Sequence, residues 1–346
     1  MVNRIPGTRF LVTLGAALAI VPAWTAPPRA QAEGGGATIV RLDPRLDALL
    51  AKDATVEKLA DGYSWVEGPL WDSRAGMLLF SDTIENVIHK WKDGEGAGDF
   101  LRPSGYTGSA PFTGKEPGSN GLTFDAQHRL VMCQHGDRRI ARRDGDHFTT
   151  LADRYDGKRF NSPNDLVYRS NGDLYFTDPA YGLPKTFDDP QRELPFTGVY
   201  KLSADGAVTL LVKDLKAPNG VAFSPDEKLL YVAQSAGDAP IVMAYPVNAD
   251  GTTGAGNVFR DFAADAKAGK PGAPDGLKVD VHGNVWTTGP GGVWVLAPDA
   301  TPLGHIDTGV PTSNVAWGDD GSTLYITANH ALLRVKTKTK GKIPGN

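Results

Sequence analysis

Apolar and polar residues alternate in short runs along most of this chain, and the runs come in sets of four. Gly121-Leu-Thr-Phe-Asp reads as a strand with alternating burial, Ala126-Gln-His-Arg as a turn, and Leu130-Val-Met-Cys as a second strand. Ile140-Ala-Arg-Arg and Phe148-Thr-Thr-Leu supply a third and a fourth. Turn signals recur at Ser170-Asn-Gly-Asp, Ser224-Pro-Asp-Glu, Val281-His-Gly-Asn and Gly318-Asp-Asp-Gly. Between Thr38 and Lys340 there is no long amphipathic helix pattern; residues 44–52 predict one short helix.

One register within the sets recurs six times, and its first residue always carries a side-chain oxygen. The copies begin Glu67-Gly-Pro-Leu-Trp-Asp, Asn120-Gly-Leu-Thr-Phe-Asp, Asn164-Asp-Leu-Val-Tyr-Arg, Asn219-Gly-Val-Ala-Phe-Ser, Asp275-Gly-Leu-Lys-Val-Asp and Asn314-Val-Ala-Trp-Gly-Asp. An apolar run follows each by about ten residues. The intervals, 39 to 56 residues, suit blades of four short strands with variable loops. Repeated sheets must hide their edges, and radial closure does so. The predicted fold is therefore all-β, a six-bladed β-propeller with a central cation-binding channel. A solenoid is the alternative, but it would set the six lead residues in a line. Residues 38–62 have room for one or two strands and are expected to complete the last blade. Residues 63–346 form the six blades.

In such a blade the second strand returns to the face where the first began. Its end therefore lies near a lead residue. Those ends are Ser81-Asp82, Gln134-His135, Thr177-Asp178, Gln234-Ser235, Gly289-Pro290 and Asn329-His330. The long loops 103–119 and 180–198 fall at one rim, and 103–119 is expected to overhang the mouth.

Composition narrows the function. A net charge of −4 gives no polyanion-binding signature, so nucleic acid is excluded as a partner. The single cysteine, Cys133, permits no intrachain disulfide and sits in an apolar run as a structural thiol. At the N-terminus, Arg4 and Arg9 precede an apolar stretch too short to span a bilayer, and Ala30-Gln31-Ala32 fits a signal-peptidase site. Residues 1–32 read as a signal peptide and 33–62 as leader and ring-closing segment. The mature protein is then expected to be periplasmic or secreted, off the membrane, and monomeric.

Turn chemistry explains any one Asn-Gly or Asp-Gly pair, but it explains Glu67-Gly poorly. Six oxygens converging on a channel need a cation or water to satisfy them. No Cys or His leads a repeat, which disfavours zinc or copper as the designed ion. Two carboxylates balance one divalent ion, and carboxamide-rich coordination suits Ca²⁺ over Mg²⁺; Mn²⁺ or Zn²⁺ remain open.

Glu67-Gly-Pro-Leu-Trp, Ser162-Pro-Asn-Asp-Leu-Val, Ala217-Pro-Asn-Gly-Val-Ala-Phe-Ser and Ala273-Pro-Asp-Gly-Leu resemble the gluconolactonase family, which also holds senescence marker protein (regucalcin) and luciferin-regenerating enzyme. Thr177-Asp-Pro-Ala-Tyr-Gly-Leu-Pro and Ser119-Asn-Gly-Leu-Thr-Phe-Asp are similar to its bacterial branch. The resemblance runs from about Ala60 to Val335. It implies a six-bladed propeller with a divalent cation, usually Ca²⁺, held by Glu67, Asn164, Asn219 and Asp275. It also implies hydrolysis of a sugar lactone such as glucono-1,5-lactone, the cation polarising the carbonyl. Asp275 is the candidate general base, with Glu67 the other carboxylate of the catalytic centre.

Asn120 and Asn314 belong to the ring by repeat and are assigned to substrate or water. His135 ends a second strand at the mouth, placed to bind substrate or shuttle a proton, or else to sit at the surface; His330 has the same position in the last blade. His89, His128, His147, His282 and His305 are expected in solvated outer positions. Asp165 is open between a supporting and a turn role. Asp82 and Asp178 are expected to orient ligands or hold a structural cation. Arg154 and Arg159 either meet substrate or are solvated. There is no Gly-x-Ser-x-Gly, Walker loop or dinucleotide fingerprint. The competing functions are another ester or organophosphate as substrate, or a binding propeller with a structural cation.

Overall fold

The computed structural model describes residues 1–2 and 36–345, and the compact unit spans Gly36–Asn346. Most of the expected signal peptide, with its expected cleavage site, lies outside the described residues. Six antiparallel sheets are present, each built outward from one inner strand, plus a two-stranded hairpin. The inner strands are Val66–Asp72, Ser119–Phe124, Leu166–Tyr168, Pro218–Phe223, Leu277–Val279 and Thr312–Gly318, opening blades 1 to 6 in chain order. The fold is the expected six-bladed propeller.

Burial falls from hub to rim. The inner strand Ser119–Phe124 is buried at every position, whereas Gly96–Leu101, outermost in blade 1, is buried at none. Four inner strands are buried on both faces along nearly their whole length because a neighbouring blade covers each face. Trp286 meets Trp317 edge-on at 5.3 Å, joining blades 5 and 6. Trp71 stacks on Tyr325 at 5.4 Å, joining blade 1 to blade 6. Such aromatic contacts add to area burial by about 0.5–1.5 kcal/mol each.

The ring closes by strand exchange. Val56–Asp61 pairs with Ala331–Lys336, so an N-terminal strand finishes the C-terminal blade. This part of the expectation for residues 38–62 holds; the rest needs correction. Thr38–Arg41 instead pairs with Pro302–Asp307 as a fifth strand of blade 5. Between the two, the expected helix is a 3-10 turn, Pro44–Ala48, capped by Asp43, with Leu46 buried beneath it. That turn carries the chain from one blade to the next. Among the described residues the one α-helix is Ala263–Lys267.

Candidate active site

Each lead residue sits where the inner strand breaks its pairing. The ladder slips between Glu67 and Leu70, Ser119 and Leu122, Pro218 and Val221, and Thr312 and Asn314. In blades 3 and 5 pairing starts only at Leu166 and Leu277, two residues after Asn164 and Asp275. A bulge re-aims one side chain; Asn120 and Asn219 fall inside the break, whereas Glu67 and Asn314 border it, paired with Ser81 and Thr327.

The glycine after the lead residue is explained by close approach rather than by a turn. A Cβ on Gly68 would lie 2.0 Å from the carbonyl oxygen of Asn120, and one on Gly220 would lie 2.2 Å from that of Asp275. The next blade's lead residue occupies the space. The contact is bonded where Gly121 N donates to Asn164 O at 2.7 Å and Gly220 N to Asp275 O at 3.0 Å. Hydroxyls from the second strands lock the same carbonyls: Ser81 Oγ donates to Asn120 O, and Thr177 Oγ1 to Asn219 O.

Strand-end side chains fix the approach to three lead residues in one repeated manner. Asp82 accepts the Ser64 N–H at 2.8 Å, Asp178 accepts those of Asn161 and Ser162 at 2.8 Å, and Gln234 accepts that of Lys216 at 2.7 Å. Ser64, Asn161 and Lys216 each lie three positions before a lead residue. Asp82 and Asp178 thus take the orienting role expected of them.

The six side chains fall into two groups. Oδ1 of Asn120, Asn164, Asn219 and Asp275 is buried and has no hydrogen-bond partner among the described residues. Leaving such acceptors dry is costly, so four oxygens in this state mark a site for a ligand that bonds oxygen. Glu67 and Asn314 are instead tied together: Asn314 Nδ2 donates to Glu67 Oε2 at 3.3 Å, and Val315 N donates to Asn314 Oδ1 at 2.9 Å. Asn314 therefore supports Glu67 and turns no oxygen to the centre. Asn120 does, and in this respect matches Asn164 and Asn219.

Electrostatics point the same way. Burial, outweighing a bond from Gly68 N, pushes Glu67 up to about 8, with the charge of Asp165 adding to the rise. Burial and then the charge of Glu67 push Asp275 well above the usual carboxylate range. Both shifts describe a centre deficient in positive charge. Asp165, buried beside Asn164, adds a third negative group and has Lys278 Nζ 3.8 Å away. Among the described residues no group of three His, Cys, Asp or Glu is placed to hold a metal, so any cation here depends on the carboxamides. An all-oxygen set of two carboxylates and neutral amides fits a hard divalent ion such as Ca²⁺. Asp275 is only half-buried, whereas Glu67, Asn120, Asn164, Asn219 and Asn314 are 2–4% exposed. It is the lead residue best placed to meet water.

The two long loops meet over one rim. A Cβ on Gly114 would lie 2.3 Å from Gly182 O. From loop 103–119, Glu116 Oε2 comes 2.9 Å from His135 Nδ1, an ion-pair contact outside hydrogen-bond angles. The charge of Glu116 also raises Glu67 and Asp275. From loop 180–198, Tyr181 lines one cavity with Ser235, and burial and the charge of Asp275 hold its hydroxyl protonated. Ser235 Oγ in turn accepts from Asn219 Nδ2 at 2.9 Å and donates to Pro274 O. A cavity of about 670 Å³ runs outward from Tyr181 and Ser235 past Arg192 and Lys216. Glu116 and Tyr181 were not singled out from sequence; each is the polar ring or acid of its loop that lies next to a rigid Pro or Gly segment.

Several histidines differ from expectation. His128 is buried, stacked on Phe124 at 4.1 Å and 2.9 Å from Asp72, so it joins blades 1 and 2. His305 is buried against Trp294, and His89 is half-buried beside Tyr63 and Phe80. His128 and His89 each keep a carboxylate partner, Asp72 at 2.9 Å and Asp99 at 3.0 Å. His147 and His282 are exposed as expected. His330 is exposed and contributes only its carbonyl, to Tyr63 N. Cys133 is fully buried, and burial raises its thiol well above normal.

These features define a propeller whose hub presents a ring of shielded oxygen donors under two rim loops. The chain belongs to the SMP-30/Gluconolactonase/LRE-like family, whose model matches residues 65–330. It is 39% identical over 309 residues to a gluconolactonase of Zymomonas mobilis, covering 88% of this chain and 87% of that protein. A solved gluconolactonase from Xanthomonas campestris superposes with a TM-score of 0.74 at 33% identity, over 86% of this chain and 94% of that one. The fold is shared with a calcium-binding regucalcin from Agrobacterium tumefaciens: TM-score 0.62, 21% identity, 83% of this chain and 95% of the other.

Proposed function

We propose that this protein is a lactonase that opens a sugar lactone, with glucono-1,5-lactone as the first substrate to test, and that it works with a divalent cation, Ca²⁺ foremost. The family and its named gluconolactonase relatives support the reaction class. The observation that carries the site is the set of four shielded, partnerless oxygens on Asn120, Asn164, Asn219 and Asp275.

Glu67, Asn164, Asn219 and Asp275 would hold the ion, with Asn120 turned to it or to substrate. A bound divalent cation supplies Lewis-acid polarisation of a carbonyl oxygen. The chain's own residues do the rest. Asp275, anchored through its N–H to Thr288 Oγ1 at 2.9 Å, takes a proton from the attacking water. The water oxygen bonds to the carbonyl carbon, the ring C–O bond breaks, and that proton passes to the departing ring oxygen. Glu67, fixed by Asn314 and Gly68, contributes the second negative charge. The 670 Å³ cavity opens beside Tyr181 and Ser235 and is lined by none of the six lead residues, so it reaches the site only through the Ser235–Asn219 bond.

The test is hydrolysis of gluconolactone, other lactones and aryl esters by purified protein, with and without chelator. Asp275→Asn is expected to cost about 10²- to 10⁴-fold in kcat. Unchanged turnover in that variant, or after complete metal removal, sinks the mechanism. Turnover of aryl esters alone would replace the substrate class.

A further inference from the structure

A second cavity, about 170 Å³, lies under the contact between the two rim loops. Tyr106, Phe112 and Pro184 give it an apolar wall; His135, Arg138 and Arg159 give it a polar one. Arg138 is unusual in three ways. It is 7% exposed, its backbone has φ of 58°, and its Nη2 has no hydrogen-bond partner among the described residues. The rest of the guanidinium is pinned to main-chain carbonyls: Nε donates to Phe160 O at 2.7 Å and Nη1 to Gln191 O at 3.3 Å. Arg159 Nη2 donates to Asp137 O at 2.9 Å.

Neither guanidinium forms an ion pair within the described residues, although acids lie in the neighbourhood. Those acids are already engaged. Asp178 accepts the Asn161 and Ser162 amides, Asp189 those of Lys185 and Gln191, and Glu193 that of Arg159. Burial, and then the charge of Arg159, hold Arg138 below its usual value. A buried cation with an unbonded N–H, in the wall of a cavity and beside a second cation, costs several kcal/mol unless an anion answers it. A guanidinium offers paired donors that match a carboxylate.

We propose that this cavity is a carboxylate-binding site, in which Arg138 Nη2 and the Arg159 guanidinium hold the acid group of a small organic acid against the aromatic wall. The ligand is an acid from the medium or the acid released by ring opening; the chemistry recognised is the same. His135, which contacts Glu116, also lines the cavity. The proposal does not depend on the protein being a lactonase.

The test uses the cation-loaded protein and follows its thermal midpoint and heat of binding with sodium acetate, sodium gluconate and sodium chloride at matched ionic strength. Acetate and gluconate are expected to raise the midpoint saturably, and chloride is not. Arg159→Gln, which leaves the buried bonds of Arg138 intact, is expected to weaken acetate binding at least tenfold. Asp275→Asn is expected to leave it unchanged. No saturable acetate effect, or an effect retained in Arg159→Gln, overturns the proposal. So does binding of gluconate alone that disappears in Asp275→Asn, because the acid then sits in the channel.

Discussion

Asn314 Nδ2 donates to Glu67 Oε2 across the seam where blade 6 meets blade 1, a bond between residues 247 positions apart. Ser313 Oγ strengthens the seam by donating to Val66 O at 2.5 Å. Ring closure and ligand orientation are thus one structure. Asn314→Ala removes the donor that aims Glu67 and leaves Val315 N unanswered. Loss of such a supporting bond typically costs 10- to 100-fold in metal affinity. We expect a drop of that size in Ca²⁺ affinity by calorimetry, with the β-sheet circular dichroism retained. Unaltered affinity would separate the seam from the site.

Gly220 tests the close approach of neighbouring blades. Its N–H bonds Asp275 O, and a methyl group there has 2.2 Å to that oxygen. The backbone on both sides must move, at a cost of about 1–3 kcal/mol for overpacking of this kind. Gly220→Ala is expected to lower the unfolding midpoint and to misplace Asp275, reducing turnover as well. Gly237, exposed and with nothing within 4 Å of a built Cβ, supplies the control. Gly237→Ala should stay within about 0.5 kcal/mol of the parent. Equal midpoints for the two variants in urea unfolding would refute the close-approach account.

The repeat was legible because a structural position shared by all blades imposes one pattern on the sequence. Lead residues, inner strands and the closing strand follow from it. What the pattern concealed has physical reasons. Asn-Gly is the same dipeptide in a turn and at a tight blade contact, so the role of Gly220 needed coordinates. Asn120 and Asn314 are one residue type at one register, yet one faces the centre and the other faces Glu67. Glu116, Tyr181 and Arg138 come from loops or turns without a period. His128 and His305 lie in turns or outer strands that the sequence presents as solvated, and only the packing of Phe124 and Trp294 buries them.

Glu116 is the rim-loop acid that reaches His135. Glu116→Gln keeps the shape and removes the charge that faces the imidazole, Glu67 and Asp275. A lost charged contact to a buried group is worth about 1–3 kcal/mol, or roughly 5- to 150-fold in a rate or binding constant. We expect kcat/KM for a lactone to change by about that factor. Because the lost contact is to the buried His135, the unfolding midpoint is expected to fall by no more than that energy accounts for. A rate indistinguishable from the parent would confine the Glu116–His135 pair to holding the loop.

His305 gives a pH dependence whose sign follows from its burial. Burial, then the charge of Lys270, lowers its pKa from the usual 6.5, and its ring stacks on Trp294 at 4.6 Å. A folded-state pKa below the unfolded one means that the fold prefers the neutral ring. That stabilisation is complete above pH 6.5 and is lost as pH falls through the lowered folded value. His305→Phe keeps an aromatic ring on Trp294 and cannot take a proton. Urea midpoints of parent and variant should agree closely at pH 8. As pH falls below about 6.5, the parent should weaken relative to His305→Phe, and the gap should widen until His305 is protonated in the fold as well. A gap that stays constant from pH 8 to pH 5 would show that the buried imidazole carries no proton linkage.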